Sequence, residues 1–427
     1  MKNIRVLILS TYFQKGGAAI AAGRLWHALR KHTSLEVNFL HAEPAPHSPE
    51  EGVYSCVSSV WRQKQWWLRF GVEEMSMRLL LRNREDWFQF SLAPWGIGLH
   101  RHPLLQEADI IHLHWINDAF LSMRSLRYIG MWQKPMVVTM HDMWTFTGGC
   151  HYSGDCNAYE QSCARCPKIK TAFHPVVCSH RQRKAQFWQQ FSPLVCWVGC
   201  SRWLADCARA SGLLDTAAIH HIPNPLDTNQ FQYLPQEQAK SAWQLPPGRF
   251  VLLCGAASLK DRRKGMDILL EALRLLEKQY PAMASKILFC TFGKAAECMS
   301  FDLIEHRHLG SFLDPKELNR LYAAADAYVL TSRQDNLPNT IMEAMASGTP
   351  VLATPVGGIP EMIAHGQNGF LMRDLSPQAC VEGILFLLEK ANTLRLSARQ
   401  WVETHYSEAV VAQQYSRLYE ELLRQKR

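Results

Sequence analysis

The residues best placed to do chemistry lie within 331–361, TSRQDNLPNTIMEAMASGTPVLATPVGGIPE. This segment follows a short apolar run ending at Leu330, and residues 339–347 read as a helix stopped by Gly348 and Pro350. Asp335 stands just before that helix and Glu343 within it, eight positions on. At the carboxyl end of a parallel strand, this spacing sets two carboxylates and a helix N-terminus in the crevice where open α/β sheets take their ligands. A carboxylate accepts two sugar hydroxyls at once, and the free N–H groups of a helix start attract phosphate. Together they suit a sugar joined to a diphosphate. The same spacing is also explained by Asp335 capping the helix while Glu343 is a solvated or salt-bridged residue.

The elements that must position these groups follow from hydropathy. Short apolar, β-branched runs alternate with longer amphipathic stretches, the pattern of an α/β protein with parallel sheets. Strands are expected over 6–9, 37–40, 110–113, 136–140 and 194–199, and again over 250–255, 286–292, 327–330 and 351–354. Two sheets follow, in keeping with 427 residues, more than one core usually serves. Between the two sets, HIPNPLDTNQF (221–231) and Leu-Pro-Pro-Gly (245–248) carry turn and linker chemistry. The expected division is residues 1–224, residues 225–400 and an amphipathic tail, 401–427, that crosses back to the first domain. No internal repeat is evident.

Ser332, Pro338, Glu343, Ala344, Gly348, Pro350, Val351, Gly357, Gly358, Pro360 and Glu361 resemble, in order and spacing, the C-terminal signature of glycosyltransferase family 4. That resemblance implies the GT-B fold, two Rossmann-like doubly wound domains facing across a cleft, and a retaining enzyme using a nucleotide-sugar donor. Residues 255–273, GAASLKDRRKGMDILLEAL, resemble the family's strand, loop and helix that lie against the donor diphosphate. Lys264-Gly265 match its Lys-Gly pair; no Arg directly follows Gly255, so Arg262 or Arg263 has to serve. Gly16-Gly17 after the first strand resemble the family's glycine loop near donor and acceptor. His141 stands where the family has a histidine facing the donor sugar. In the linker, Asn224-Pro225-Leu226-Asp227 replaces the usual Asn-Gly-Ile/Val-Asp, and Pro225 stiffens the hinge. The resemblance implies that Lys264 with Arg262 or Arg263 and the helix start at Asn339 and Thr340 hold the diphosphate. Asp335 would then take sugar hydroxyls and Glu343 the nucleotide ribose.

Residues 137–167 resemble a bacterial exopolysaccharide subgroup of these transferases, the colanic acid type. Within them Cys150, Cys156, Cys163 and Cys166 form C-x5-C-x6-C-x2-C. Four thiols in 17 residues suggest a structural zinc; unliganded thiols or a labile disulfide explain them equally simply. No Asp-x-Asp pair is placed to hold a catalytic metal, and no cofactor is expected for the reaction.

Charge is uneven. Residues 1–224 hold 24 Lys and Arg against 16 Asp and Glu, while 225–427 hold 22 against 22, and 12 of the 14 Trp lie in the first part. The stretch 61–84 carries six basic residues among Trp, Leu and Phe, which suits a helix docking on anionic lipid and equally a packed helix with a basic edge. No run reaches the 18 apolar residues of a membrane span, and the apolar start is too short for a signal peptide. A cytoplasmic protein, peripheral on the inner face of the plasma membrane, is expected. Its partners would be a nucleotide-sugar donor and a glycan or polyprenyl-diphosphate-linked acceptor; nothing resembles a nucleic-acid reader. Two competing activities share this pattern: a GT-B nucleotide-sugar epimerase and a non-catalytic glycan-binding subunit.

Overall fold

The computed structural model describes residues 3–44, 50–83, 89–258, 261–294, 299–312 and 314–425. The chain divides into two compact units, Met1–Asn224 with Val411–Arg427, and Pro225–Val410.

The first unit is built on β1 (Arg5–Leu9), β2 (Glu36–His41), β3 (Val53–Ser55), β4 (Ile110–Leu113), β5 (Met136–Met140), β6 (Val195–Gly199) and β7 (Ile219–His221). They lie in the order β3-β2-β1-β4-β5-β6-β7, and each neighbouring pair is parallel. The alternation of side chains along β1 shows why. Val6 and Ile8 pack on one face with Leu25, Trp26 and Leu29 of the helix Gly17–His32, and Leu7 and Leu9 pack on the other with Leu113 and Val138. A sheet covered on both sides needs continuous apolar runs, which β4, β5 and β6 supply.

The second unit repeats the plan with β8 (Phe250–Ser258), β9 (Ile287–Lys294), β10 (Glu305–His308), β11 (Ala327–Leu330), β12 (Val351–Ala353) and β13 (Gly369–Leu371). The order is β10-β9-β8-β11-β12-β13, again all parallel. The α/β class and two doubly wound sheets stand as expected. The four strands that hydropathy does not announce, β3, β7, β10 and β13, are the four sheet edges. Each is short, and β10 reads Glu-His-Arg-His, because an edge has no apolar run to bury.

The long helix Pro377–His405 runs past residue 401, so the final helix, Glu408–Gln425, begins later than expected. Its Val411, Ala412, Tyr415, Leu418 and Tyr419 enter the core of the first unit. There Tyr419 Oη lies 2.7 Å from His112 Nδ1, His112 Nε2 2.7 Å from Thr139 Oγ1, and Thr139 Oγ1 2.8 Å from Tyr415 Oη, so this buried polar chain is satisfied. Leu226 N donates to Tyr406 O (2.7 Å) and Glu408 N to Leu226 O (3.1 Å), beside both points where the chain changes unit.

In each sheet the strand order reverses once, between β1 and β4 and between β8 and β11. Such a reversal is where open α/β sheets take their ligands, at the carboxyl ends of the strands.

Candidate functional site

In the second unit, the loops leaving β8 and β11 are stitched together. Asp261 accepts the N–H of Arg263 (3.0 Å), starting a single turn over Arg262–Lys264 that Gly265 closes at φ 64°. A Cβ at Gly265 would stand 2.0 Å from the Thr331 carbonyl, so only glycine fits. Thr331 Oγ1 donates to Gly265 O (2.8 Å), Arg333 N to Arg263 O (2.7 Å), and the Arg333 guanidinium pairs with Asp267 at 2.6 Å. Gly357 (φ 58°) approaches from β12; a Cβ there would lie 1.7 Å from the Asp335 carbonyl, which accepts the N–H of Gly358 (3.2 Å).

These contacts fix a charged cluster. Asp335 Oδ2 meets Lys264 Nζ at 2.5 Å and Arg263 Nη1 at 3.4 Å, and Ser332 Oγ donates to it at 3.2 Å. Burial pushes the Asp335 carboxyl up, but Lys264 and Arg263 outweigh that and hold it below the usual carboxylate range. Of the two arginines considered, Arg263 enters this cluster, held also by Asp261 at 3.1 Å, while Arg262 is exposed. Asp335 does not cap the following helix: Pro338 takes the N-cap position of Asn339–Ala346, without a side-chain cap bond, and Asn339 and Thr340 open its first turn. Nor is Glu343 a solvated surface group; it is 7% exposed and accepts the Tyr322 hydroxyl at 3.2 Å.

In the first unit, Gly16 (φ 89°) precedes the helix Gly17–His32, and a Cβ there would meet nothing within 4 Å. Backbone angle, not crowding, selects glycine. His141 follows β5 directly, with Nε2 2.8 Å from His114 Nδ1 and Nδ1 3.5 Å from Cys200 Sγ. Burial lowers its pKa to about 4, so the ring is neutral near pH 7. A sugar bonded through either nitrogen has to displace one of those partners.

Sequence reasoning overlooked several neighbours. Asp142 accepts from Trp115 Nε1 (3.0 Å), Trp144 N (2.8 Å) and His151 Nδ1 (2.6 Å). Its position directly after a strand, beside His141, was the available signal. Lys184 gave none: it sits mid-helix in His174–Phe191, yet is wholly buried, with Nζ donating to the carbonyls of Trp144 (2.5 Å) and Thr147 (3.2 Å) and lying 3.6 Å from the centre of the Trp144 ring. Burial lowers its pKa to about 7.

Cys150, Cys156, Cys163 and Cys166 line one small cavity with Thr147, Tyr159 and Val177, and all four are free thiols. Cys150 hydrogen-bonds to Cys166, raising its own thiol and lowering its partner's. Among the described residues, no three Cys, His, Asp or Glu side chains gather to hold a metal ion. The thiols therefore share a cavity without forming an assembled tetrahedral site.

Comparison with known proteins places this geometry. Residues 249–390 match the family described as Glycosyl transferases group 1. The chain is 31% identical over 200 residues to a D-inositol 3-phosphate glycosyltransferase of Corynebacterium urealyticum, covering 44% of this chain and 46% of that one. It is 26% identical over 262 residues to the putative colanic acid biosynthesis glycosyl transferase WcaC of Escherichia coli, covering 57% and 59%. The chain thus spans about half the length of the curated relatives it matches. Among solved structures it is similar to HepE of Anabaena in complex with UDP and glucose, at TM-score 0.62 and 17% identity, covering 98% of this chain and 100% of that one. The fold is GT-B.

Two outcomes are expected. Because the folded Asp335 titrates below its unfolded value of about 3.9, its pairing contributes in full above that pH and is lost as pH falls through the lower folded value. In urea unfolding from about pH 6 to about pH 2, Asp335→Asn should be the less stable protein at the upper end, with the gap closing in acid; parallel profiles would remove the pairing as a source of stability. Structural zinc is decided by metal analysis of reduced, metal-replete protein: stoichiometric zinc sustains it, and folded, metal-free protein ends it.

Proposed function

We propose that the chain, whose residues 249–390 match the family described as Glycosyl transferases group 1, is a retaining glycosyltransferase of the family 4 kind. It moves a sugar from a nucleotide-sugar donor to a glycan or polyprenyl-diphosphate-linked acceptor in cell-surface polysaccharide biosynthesis. The observation that carries this reading is the ionised Asp335 held between Lys264 and Arg263 at the strand-order reversal of the second sheet. A buried carboxylate with fixed cations beside it matches a ligand that joins hydroxyls to a diphosphate. The names of the similar proteins support the same chemistry.

In the reaction, the acceptor oxygen bonds to the anomeric carbon on the face the diphosphate leaves. The carbon–oxygen bond to the β-phosphate breaks, its electron pair departs with the nucleoside diphosphate, and the acceptor proton passes to that phosphate oxygen. Charge then accumulates on the diphosphate, where Lys264, Arg263 and the N–H groups at Asn339 and Thr340 meet it. Asp335 orients sugar hydroxyls, and its grip keeps Lys264 in place before the donor arrives. Glu343, held by the Tyr322 hydroxyl, takes the ribose. No metal or cofactor enters these steps.

A lipid-linked acceptor fits the helix Val60–Leu80. Val60, Trp61, Trp67, Leu68, Met75 and Leu79 are exposed by 51–70% and, at about 100° per residue, fall within about a third of its circumference. Lys64 and Arg78 share that face, while Trp66, Glu73 and Met77 are buried. Arg84, the last basic residue of this stretch, lies outside the described residues. Such a face rests at an anionic interface without spanning it, and none of the described helices is long and apolar enough to cross a membrane.

Thermal-shift titration against a panel including UDP-glucose and GDP-mannose tests the donor reading. At least one nucleotide-sugar should stabilise the protein, and Lys264→Ala should weaken its binding by about tenfold or more, ~1.4 kcal/mol. Absence of any shift, or unchanged donor affinity in Glu343→Ala, would contradict the assignments. For the membrane, vesicles rich in phosphatidylglycerol should retain the wild-type protein at low salt and release the Trp61→Ser/Trp67→Ser variant; equal retention of both rules out this face.

A further inference from the structure

We infer that Cys150 and Cys166 are a site of reversible oxidation, closed by a disulfide that fastens the loop between them when the protein meets a peroxide. This site stands on the packing of the first unit and is independent of the function proposed above.

Position singles out this pair among the thiols. Cys150, Cys156, Cys163 and Cys166 line one small cavity as free thiols, and within it the Cys150 S–H donates to the Cys166 sulfur. Cys163 instead accepts the Gly148 N–H, on a backbone held at φ 53°. Sulfurs already in hydrogen-bond contact have little distance to close before they can bond. Cys150 and Cys156 keep part of their surface in solvent, while Cys163 and Cys166 are buried. A small, neutral oxidant, hydrogen peroxide, fits such a place.

The surroundings of Cys166 make it the attacking group. Its sulfur accepts the Cys150 S–H and the backbone N–H groups of Lys168 and Ile169, which favours the thiolate despite burial. The thiolate attacks one peroxide oxygen: the S–O bond forms, the O–O bond breaks, and the departing hydroxide takes up the proton that the thiol had released. Cys150 then attacks the sulfenic sulfur. The S–S bond forms, the S–O bond breaks, and the second hydroxide leaves with the Cys150 proton as water. The two thiols lose two electrons and the peroxide gains them, giving one disulfide and two waters.

Both ends of the bridge are seated on the same stretch of chain. Beside Cys150, Ser91 N donates to Gly149 O (2.9 Å) and His151 N to Gln89 O (2.8 Å); beyond Cys166, Arg82 N donates to Lys168 O (2.9 Å) and Lys170 N to Leu80 O (3.0 Å). Lys168 Nζ ties the two sides together, donating to Gln89 Oε1 at 2.7 Å and Tyr152 O at 2.9 Å. The bond closes the loop 151–165 between fixed ends, and so restricts chiefly the unfolded chain.

The experiment uses the purified full chain, reduced and then freed of reductant. Hydrogen peroxide in small excess should remove the mass of two hydrogen atoms, link the Cys150 and Cys166 peptides in a non-reducing digest, and raise the melting temperature by about 5 °C or more. A dithiol should reverse all three. Cys150→Ser and Cys166→Ser should each abolish the link, and Cys156→Ser and Cys163→Ser should keep it; the wild-type digest identifies the pair even where a variant fails to fold. The inference is overturned by a chain that keeps its thiols, by a bridge through Cys156 or Cys163, by sulfinic acid at Cys166 without a bridge, by a bridge that leaves the melting temperature unchanged, or by stoichiometric zinc on the four thiolates.

Discussion

The meeting of Lys264, Arg263 and Asp335 depends on one topological constraint: in each parallel sheet the strand order reverses once, between β1 and β4 and between β8 and β11. Parallel strands cannot be joined by tight hairpins, so their crossovers cover the faces and leave the carboxyl ends as the place where loops can diverge. In the second unit this divergence is closed up by main-chain contacts, Arg333 to Arg263 and Gly358 to Asp335, which require glycine at 265 and 357. Backbone crowding, more than side-chain chemistry, sets where Lys264 and Asp335 meet. That explains why the glycines of the motif are inseparable from its charges.

Burying Asp335 carries a desolvation cost that a lone carboxylate would avoid by taking up a proton. Two cations and a serine hydroxyl keep it charged. The first unit solves a related problem with neutral groups. His112 and His114 are buried and His141 is half-buried, each with its pKa lowered, chiefly by burial, and His112 and His141 hydrogen-bond through both ring nitrogens. One sheet end thus carries fixed charge suited to a diphosphate, and the other carries fixed, mostly uncharged hydrogen-bonding groups with a few carboxylates.

How much of this was legible in the chain follows from what each residue's neighbours in sequence encode. Interior strands were visible because burial on both faces demands apolar runs; edge strands such as β10 were not, because half their surface is wet. Asp335 and Glu343 could be picked out because one precedes and the other lies within a helix that follows a strand, whereas Lys264 was reached through the resemblance of Lys264-Gly265 to the Lys-Gly pair of glycosyltransferase family 4. The choice of Arg263 over Arg262 could not be made, since adjacent residues of one turn differ only in direction. Asp142 and His151 escaped notice because their partnership spans a loop held by Gln89 and Lys184, contacts without sequence periodicity. His141 was located correctly as a post-strand residue, but nothing local reveals that both its nitrogens are already bonded.

The aromatic excess of the first part takes on a different meaning once burial is known. Trp26, Trp66, Trp144 and Trp188 are core residues whose indole N–H groups donate to Val37, Asp118, Ser91 and Thr145 carbonyls, and Trp197 is buried among them. These rings fill the volume beneath long loops, where a large side chain with one polar tip can satisfy a stray carbonyl while packing apolar surface. They cannot also be a binding face. Trp61, Trp67, Trp95 and Trp132 are exposed, and of these Trp61 and Trp67 share one helix, where bulk, exposure and neighbouring Lys64 and Arg78 coincide. A basic net charge alone would suit any anion; basic side chains set beside an apolar outer third of one helix suit an anion that is also an interface.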